Sequence, residues 1–202
     1  MNPRIAFVAA PLLTLTYGVI RILDGLDGSR GPGPAWTTGH LAFIAAMGLF
    51  VYIFWQMRRM AGGNALSTVI AVIATAGALA LTTQFTIDIV AGLLSDDNLS
   101  MSLLTREIRD TPGITPAAYD VGPYLFYVGQ FALVVQLAVM RRIKVWTPFL
   151  VLCDLIMPNI DKDLIPLGAI LLLVSFVSIS RRAFSPTYRP VPSTIEATPT
   201  LV

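Results

Sequence analysis

Six stretches of this chain are apolar over nearly the length needed to cross a bilayer, and that repetition constrains the fold more than any other feature. They cover residues 5–23, 37–57, 65 to about 87, 122–140, 145 to about 159 and 164–180. A spanning helix needs about 20 mostly apolar residues, since each adds about 1.5 Å against a hydrocarbon core about 30 Å thick. The fifth stretch is short and carries Pro148 near its start and Pro158 near its end, so a broken or re-entrant segment also fits it. Of the 202 residues 55% are hydrophobic and 13% charged, with a mean hydropathy of +0.72, too little polar surface to cover a soluble globule. The expected fold is an all-α polytopic transmembrane helix bundle of about six spans, filling residues 1–184.

Charge placement supports the same count, because basic residues are retained on the cytoplasmic side of short loops. With the N-terminus inside, Arg4, Arg58, Arg59, Arg141, Arg142, Lys144, Arg181, Arg182 and Arg189 are cytoplasmic, opposed by one acid, Glu196. The outer face then carries Arg21, Arg30, Arg106, Arg109 and Lys162 against Asp24, Asp27, Asp96, Asp97, Glu107, Asp110, Asp120, Asp161 and Asp163. Withdrawing the fifth stretch from the count would put Arg181 and Arg182 outside and break this asymmetry. The bundle is therefore read as N-in and C-in. The first stretch is read as an uncleaved helix, because no small-residue cleavage site follows Gly18. Trp36, Tyr124 and Tyr127 fall at expected outer ends, and Trp55 and Trp146 at inner ends, where amphipathic rings meet headgroups.

Two stretches lie outside the spans. In the loop after the third, Met101, Leu104 and Ile108 recur at helical spacing among charged residues, which predicts a short amphipathic helix on the membrane surface. It ends at the turn signal Thr111-Pro112-Gly113. Residues 185–202 hold four prolines among Ser and Thr, a composition expected to remain a disordered cytoplasmic tail.

Several function classes are disfavoured at once. A net charge of +2 with no basic stripe argues against a nucleic-acid partner. Cys153 is the only cysteine and His40 the only histidine, so there is no internal disulfide, CxxC pair, thiolate metal cage or HExxH site. No Walker loop or GxGxxG is present, and neither a cofactor nor a metal is expected.

The chemistry is sought among polar groups inside the bundle or at its mouth, because an ionisable residue at a spanning helix centre costs about 2.5 to 3.5 kcal/mol. The candidates are Arg21, Asp24, His40, Gln84, Asp88 and Asp154, most of them in the outer half. Arg21 and Asp24 share a helix face, as do Gln84 and Asp88. Arg21 is expected to reach Asp88 across helices. Two readings follow: an outward-facing pocket for a small polar solute or lipid headgroup, with His40 or Asp88 moving protons, or an ion pair and a hydrogen-bonded histidine that lock three helices together. Asp154, near mid-depth, is expected to pair with Gln130 or Gln136 as interhelical glue, or to serve a proton or cation path.

Asp24-Gly25, Asp27-Gly28 and Gly31-Pro32-Gly33-Pro34 build a tight outer loop before Trp36 and Gly39-His40. With the Asp161-Lys162-Asp163 turn and the basic pairs after inward spans, it resembles a group of uncharacterised small six-helix integral membrane proteins of high-GC Gram-positive bacteria. The resemblance covers most of the chain and implies a plasma-membrane location, with no activity attached. Three roles are carried forward: a permease-like or accessory membrane subunit with an outward polar pocket; a membrane enzyme acting on a lipid or isoprenoid through Asp154 or Asp88; and a structural or signalling partner. Membrane lipid is the expected surrounding partner in each, and a second membrane protein or another copy of the chain is a further one.

Overall fold

The computed structural model describes residues 2–26, 28 and 30–183. Asp27, Ser29 and the expected 185–202 tail lie outside them. The described chain is all-α. Its helices are α1 (Pro3–Asp24), α2 (Pro34–Met60), α3 (Ala65–Leu93), α4 (Asn98–Arg109), α5 (Gly122–Val139), α6 (Thr147–Ile160) and α7 (Ile165–Ala183), with a π-helical segment, Thr115–Val121, leading into α5.

The helix starts follow from local chemistry. Asn2 accepts the Arg4 amide at 3.0 Å and Asn64 the Ser67 amide at 2.8 Å, each satisfying a donor the first turn leaves free. Pro3 and Pro34 open α1 and α2, where a missing N–H costs nothing. Gly62 and Gly63, at φ +85° and +65°, make the left-handed turn between α2 and α3. Pro123 has no amide to continue the ladder, and it follows the π-helical segment, which carries Tyr119.

Each helix packs antiparallel to its neighbours. Trp36 near the start of α2 meets Asp88 near the end of α3, Gly129 lies against Ala74, Phe7 against Phe176, and Asp154 against Gly168. The order of neighbours is α1, α2, α3, α5, α6, α7 and back to α1, a closed ring of six helices. Small residues set the closest approaches. A Cβ on Gly77 would fall on the Phe126 backbone, and one on Gly129 would lie 2.6 Å from the Ala74 Cβ. Small residues at a helix crossing are how helices gain packing where lipid supplies no hydrophobic drive between them.

This order gathers Arg4, Arg58, Arg59, Arg141, Arg142, Lys144, Arg181 and Arg182 at one end of the bundle. That half is filled by an aromatic core in which Phe50 meets Phe126 at 5.2 Å and Phe176 at 5.9 Å, and Phe7 meets Phe176 at 5.6 Å. Large apolar side chains face outward on the perimeter, among them Leu66 at 62%, Leu79 at 60% and Phe149 at 64% exposed. A surface of that kind suits hydrocarbon rather than water.

Five segments are long and apolar enough to cross a membrane: α1, α2, α3, Thr115–Val139 and Lys162–Arg182. The fifth stretch of the sequence, α6, is a 14-residue helix. It is about 21 Å long, short of a bilayer core. Where an amphipathic helix was expected, α4 forms; its one buried residue, Met101, lies against the protein, its Sδ 3.8 Å from where a Gly92 Cβ would stand, while Leu104 and Ile108 stay half-buried. Asp97 caps α4 by accepting the Ser100 amide at 2.7 Å, and that bond holds its carboxyl below the usual carboxylate range.

Candidate functional site

The half of the bundle opposite the basic end is hollow. A cavity of about 370 Å³ runs from the mouth formed by the α1–α2 loop, the π-helical segment and the Lys162 turn down to Phe50 and Gln130, and every helix of the ring lines it. All six polar residues singled out from the sequence, Arg21, Asp24, His40, Gln84, Asp88 and Asp154, line this one cavity. Their partners differ from expectation in two cases.

Arg21 pairs with Asp163, its Nε 3.6 Å from Oδ1, rather than with Asp88. Asp163 also receives Arg30, whose Nη2 donates to both carboxylate oxygens at 2.8 Å. The reason is position: the turn before α7 hangs over the end of α1, so one carboxylate reaches two guanidinium groups there. Asp163 is 43% exposed, and the coupling is expected to be of the size of a surface ion pair, about 0.2–1 kcal/mol. In detergent unfolding, Arg21→Gln and Asp163→Asn should be non-additive, whereas Arg21→Gln and Asp88→Asn should add to within about 0.3–0.5 kcal/mol. The reverse pattern would restore the Arg21–Asp88 pair.

Asp88 belongs instead to an array that joins α2, α3 and the π-helical segment. The Tyr119 hydroxyl donates to Asp88 Oδ1 at 3.2 Å, and His40 Nε2 stands 3.9 Å from Oδ2. The Trp36 indole N–H donates to the Asp88 backbone carbonyl at 3.0 Å. His40 Nδ1 is 2.7 Å from the Trp36 carbonyl oxygen, which can only accept, so Nδ1 carries a hydrogen. Its Nε2 therefore faces the Asp88 carboxyl, and a proton on that axis makes the contact attractive. His40 is buried and lies tilted against Trp36 with ring centroids 4.1 Å apart, four residues along one helix face. Arg109 at the end of α4 covers the outer side of this array, 4.6 Å from the Tyr119 ring centre.

Below the array, Tyr17, Phe43 and Phe85 from α1, α2 and α3 form one wall, with centroids 4.1 to 5.2 Å apart. Tyr124, Phe126 and Tyr127 of α5 line the cavity as well. Asp154 enters from α6. It sits over Gly168 of α7, where a Cβ would come within 2.7 Å of its Oδ1, so the glycine makes room for the carboxylate.

Asp154 does not form the expected bond with a glutamine. Gln130 is fully buried, and neither its Oε1 nor its Nε2 has a partner among the described residues, nor does the Gln136 Oε1. Two groups whose pairing would have made them structural glue thus both face the cavity with hydrogen-bonding capacity to spare.

Sequence reasoning passed over Tyr119, Trp36 as a hydrogen-bond donor, and Asp163 as the arginine acceptor. Pro116 and Pro123 bracket Tyr119 and mark an irregular helical entry, the available signal for a functional side chain there. Among the described residues no group of three or more His, Cys, Asp and Glu is arranged to hold a metal ion. No family model, curated protein or solved structure matches the chain.

Proposed function

We propose that this chain is a multi-pass plasma-membrane protein that binds a small polar solute or lipid headgroup in a cavity open to the outer face, as a permease-like protein or the ligand-binding subunit of a membrane assembly. The observation that carries this reading is the cavity itself: about 370 Å³, lined by all six ring helices, and holding Gln130, whose amide atoms bond to no other described residue. That volume lies within the range of small-molecule sites, and apolar walls with a few convergent polar groups are their usual make-up. The eight basic residues at the closed end argue that this end faces the cytoplasm, with both termini inside and the cavity mouth outside. In this topology α6 is the sixth span, its shortness met by local thinning of the bilayer and by the polar Asp161-Lys162-Asp163 turn at its outer end.

Thiol accessibility tests the proposal. In a Cys153→Ser background, Gln84→Cys inside the cavity and Ser102→Cys on α4 should react with an impermeant thiol reagent added to intact cells. Leu79→Cys on the lipid-facing perimeter and Lys144→Cys at the basic end should not. Labelling of Lys144→Cys with protection of Ser102→Cys would invert the topology, and protection of Gln84→Cys would mean that the cavity is closed to the outside.

A further inference from the structure

The charges within the cavity are unevenly shared. At the mouth, Arg21 and Arg30 are both held by Asp163. Deeper, two carboxylates enter from different walls, Asp88 from α3 and Asp154 from α6. Among the described residues neither has a lysine or arginine nitrogen within 4 Å; Lys162 at the mouth and Arg109 over Tyr119 act on Asp88 only from farther off, His40 stands 3.9 Å from it, and Asp154 has no ion-pair partner. Uncompensated carboxyl groups in an apolar bundle are costly, and a proton or a bound cation relieves that cost.

The remaining walls say what kind of cation fits. Tyr17, Phe43 and Phe85 present a joined aromatic surface from three helices, continued by Tyr124 and Tyr127 on α5. Aromatic faces attract organic cations and offer nothing of comparable strength to an anion. An inorganic cation would need several oxygen ligands converging at about 2.0–2.6 Å. The described residues hold no cluster of three or more His, Cys, Asp and Glu to supply them. Gln130, fully buried with both amide atoms unpartnered at the cavity floor, offers a neutral acceptor and donor to a polar group on the far side of the ligand.

Resting on the reading of this cavity as a binding site, we infer that its ligand is an organic cation, a protonated amine or quaternary ammonium on an apolar body, with the charge held between Asp88 and Asp154 and the body against the aromatic wall. The two carboxylates act as electrostatic partners, and no bond to the ligand is made or broken.

Three water-soluble probes of similar size separate the classes: benzyltrimethylammonium (cation), N,N-dimethylbenzamide (neutral) and phenylacetate (anion). Binding is measured calorimetrically on the full chain in nanodiscs of zwitterionic lipid, so that the membrane surface does not itself select by charge. The cation should bind about tenfold or more tightly than the neutral probe, the size of effect a desolvated charge partner supports, and the anion should not bind. Asp154→Asn should remove most of that preference, while Asp154→Glu, which keeps the charge, should retain the order of the three probes. An unfolding midpoint and a size-exclusion profile close to wild type show that the asparagine variant is folded. Equal binding of the three probes, stronger binding of phenylacetate, or a cation preference that survives both Asp154→Asn and Asp88→Asn would overturn the inference. Absence of all binding while Gln84→Cys is labelled from outside would reject the cation and leave the outward cavity standing; loss of that labelling removes the cavity reading itself.

Discussion

Leucine in place of Gly77 should cost the bundle about 3 kcal/mol or more, the upper end of what overpacking a well-filled interior does. At this point α3 lies directly on α5, and the position a side chain would take is occupied by the Phe126 backbone. A flexible side chain can move aside, whereas a helix backbone can do so only by separating from its neighbour. Separation here would also disturb Gly129 on Ala74 and Gly122 on Ala80, the other close approaches along the same crossing. Gly48 on α2 is the matched control. Nothing lies within 4 Å of its notional Cβ, so Gly48→Ala should leave stability unchanged or raise it by up to about 1 kcal/mol through helix propensity. Reversible unfolding in mixed micelles would read both. A Gly77→Leu protein as stable as Gly48→Ala would mean that the two helices do not cross here.

Loss of the Phe50 ring should be almost as damaging. This side chain is 1% exposed and stands between Phe126 and Phe176, holding α2 to α5 and α7 at the boundary between the filled half and the hollow half. Truncating such a ring to alanine in a water-soluble core costs about 3–5 kcal/mol. Where the surroundings are lipid, the transfer component is small, because acyl chains are as apolar as the protein interior, and the cost is mainly that of lost packing. The expectation is therefore near the lower end, about 3 kcal/mol for Phe50→Ala and about 1 kcal/mol for Phe50→Leu, which refills most of the volume. The same unfolding measurement applies. Equal, small losses for both variants would show that the ring does not bridge these helices.

The two expectations concern opposite needs of one bundle. The α3–α5 crossing depends on having nothing where a side chain would stand, and the α2–α5–α7 junction depends on a ring that fills its space. The first holds two walls of the cavity together, and the second closes its floor. Dense packing at the basic end and an open volume at the other are therefore parts of one arrangement, in which His40, Asp88 and Asp154 lie in the hollow half and the buried polar groups of the filled half are the uncharged Gln56, Ser67, Thr147, Ser175 and Ser180.

Residue pattern alone was enough to identify five long apolar helices, the short sixth, the amphipathic α4 and the six polar residues that line the cavity. Each of these depends on local quantities: the length of an apolar run, the spacing of Met101, Leu104 and Ile108, or the presence of a charge where hydrocarbon is expected. Partner choice was not local. Arg21 takes Asp163 instead of Asp88, Asp154 and Gln130 share a cavity without bonding, and Tyr119 reaches Asp88 from a segment with the turn chemistry of a loop. Pairing across helices depends on which helices are neighbours and on the rotation of each about its axis. Helices such as α3 and α5, apolar on every side, carry no marked face that would reveal that rotation. Only the closure of the ring, set by glycines at its crossings and aromatic rings in its lower half, turned those faces inward and made one site of residues more than 130 positions apart.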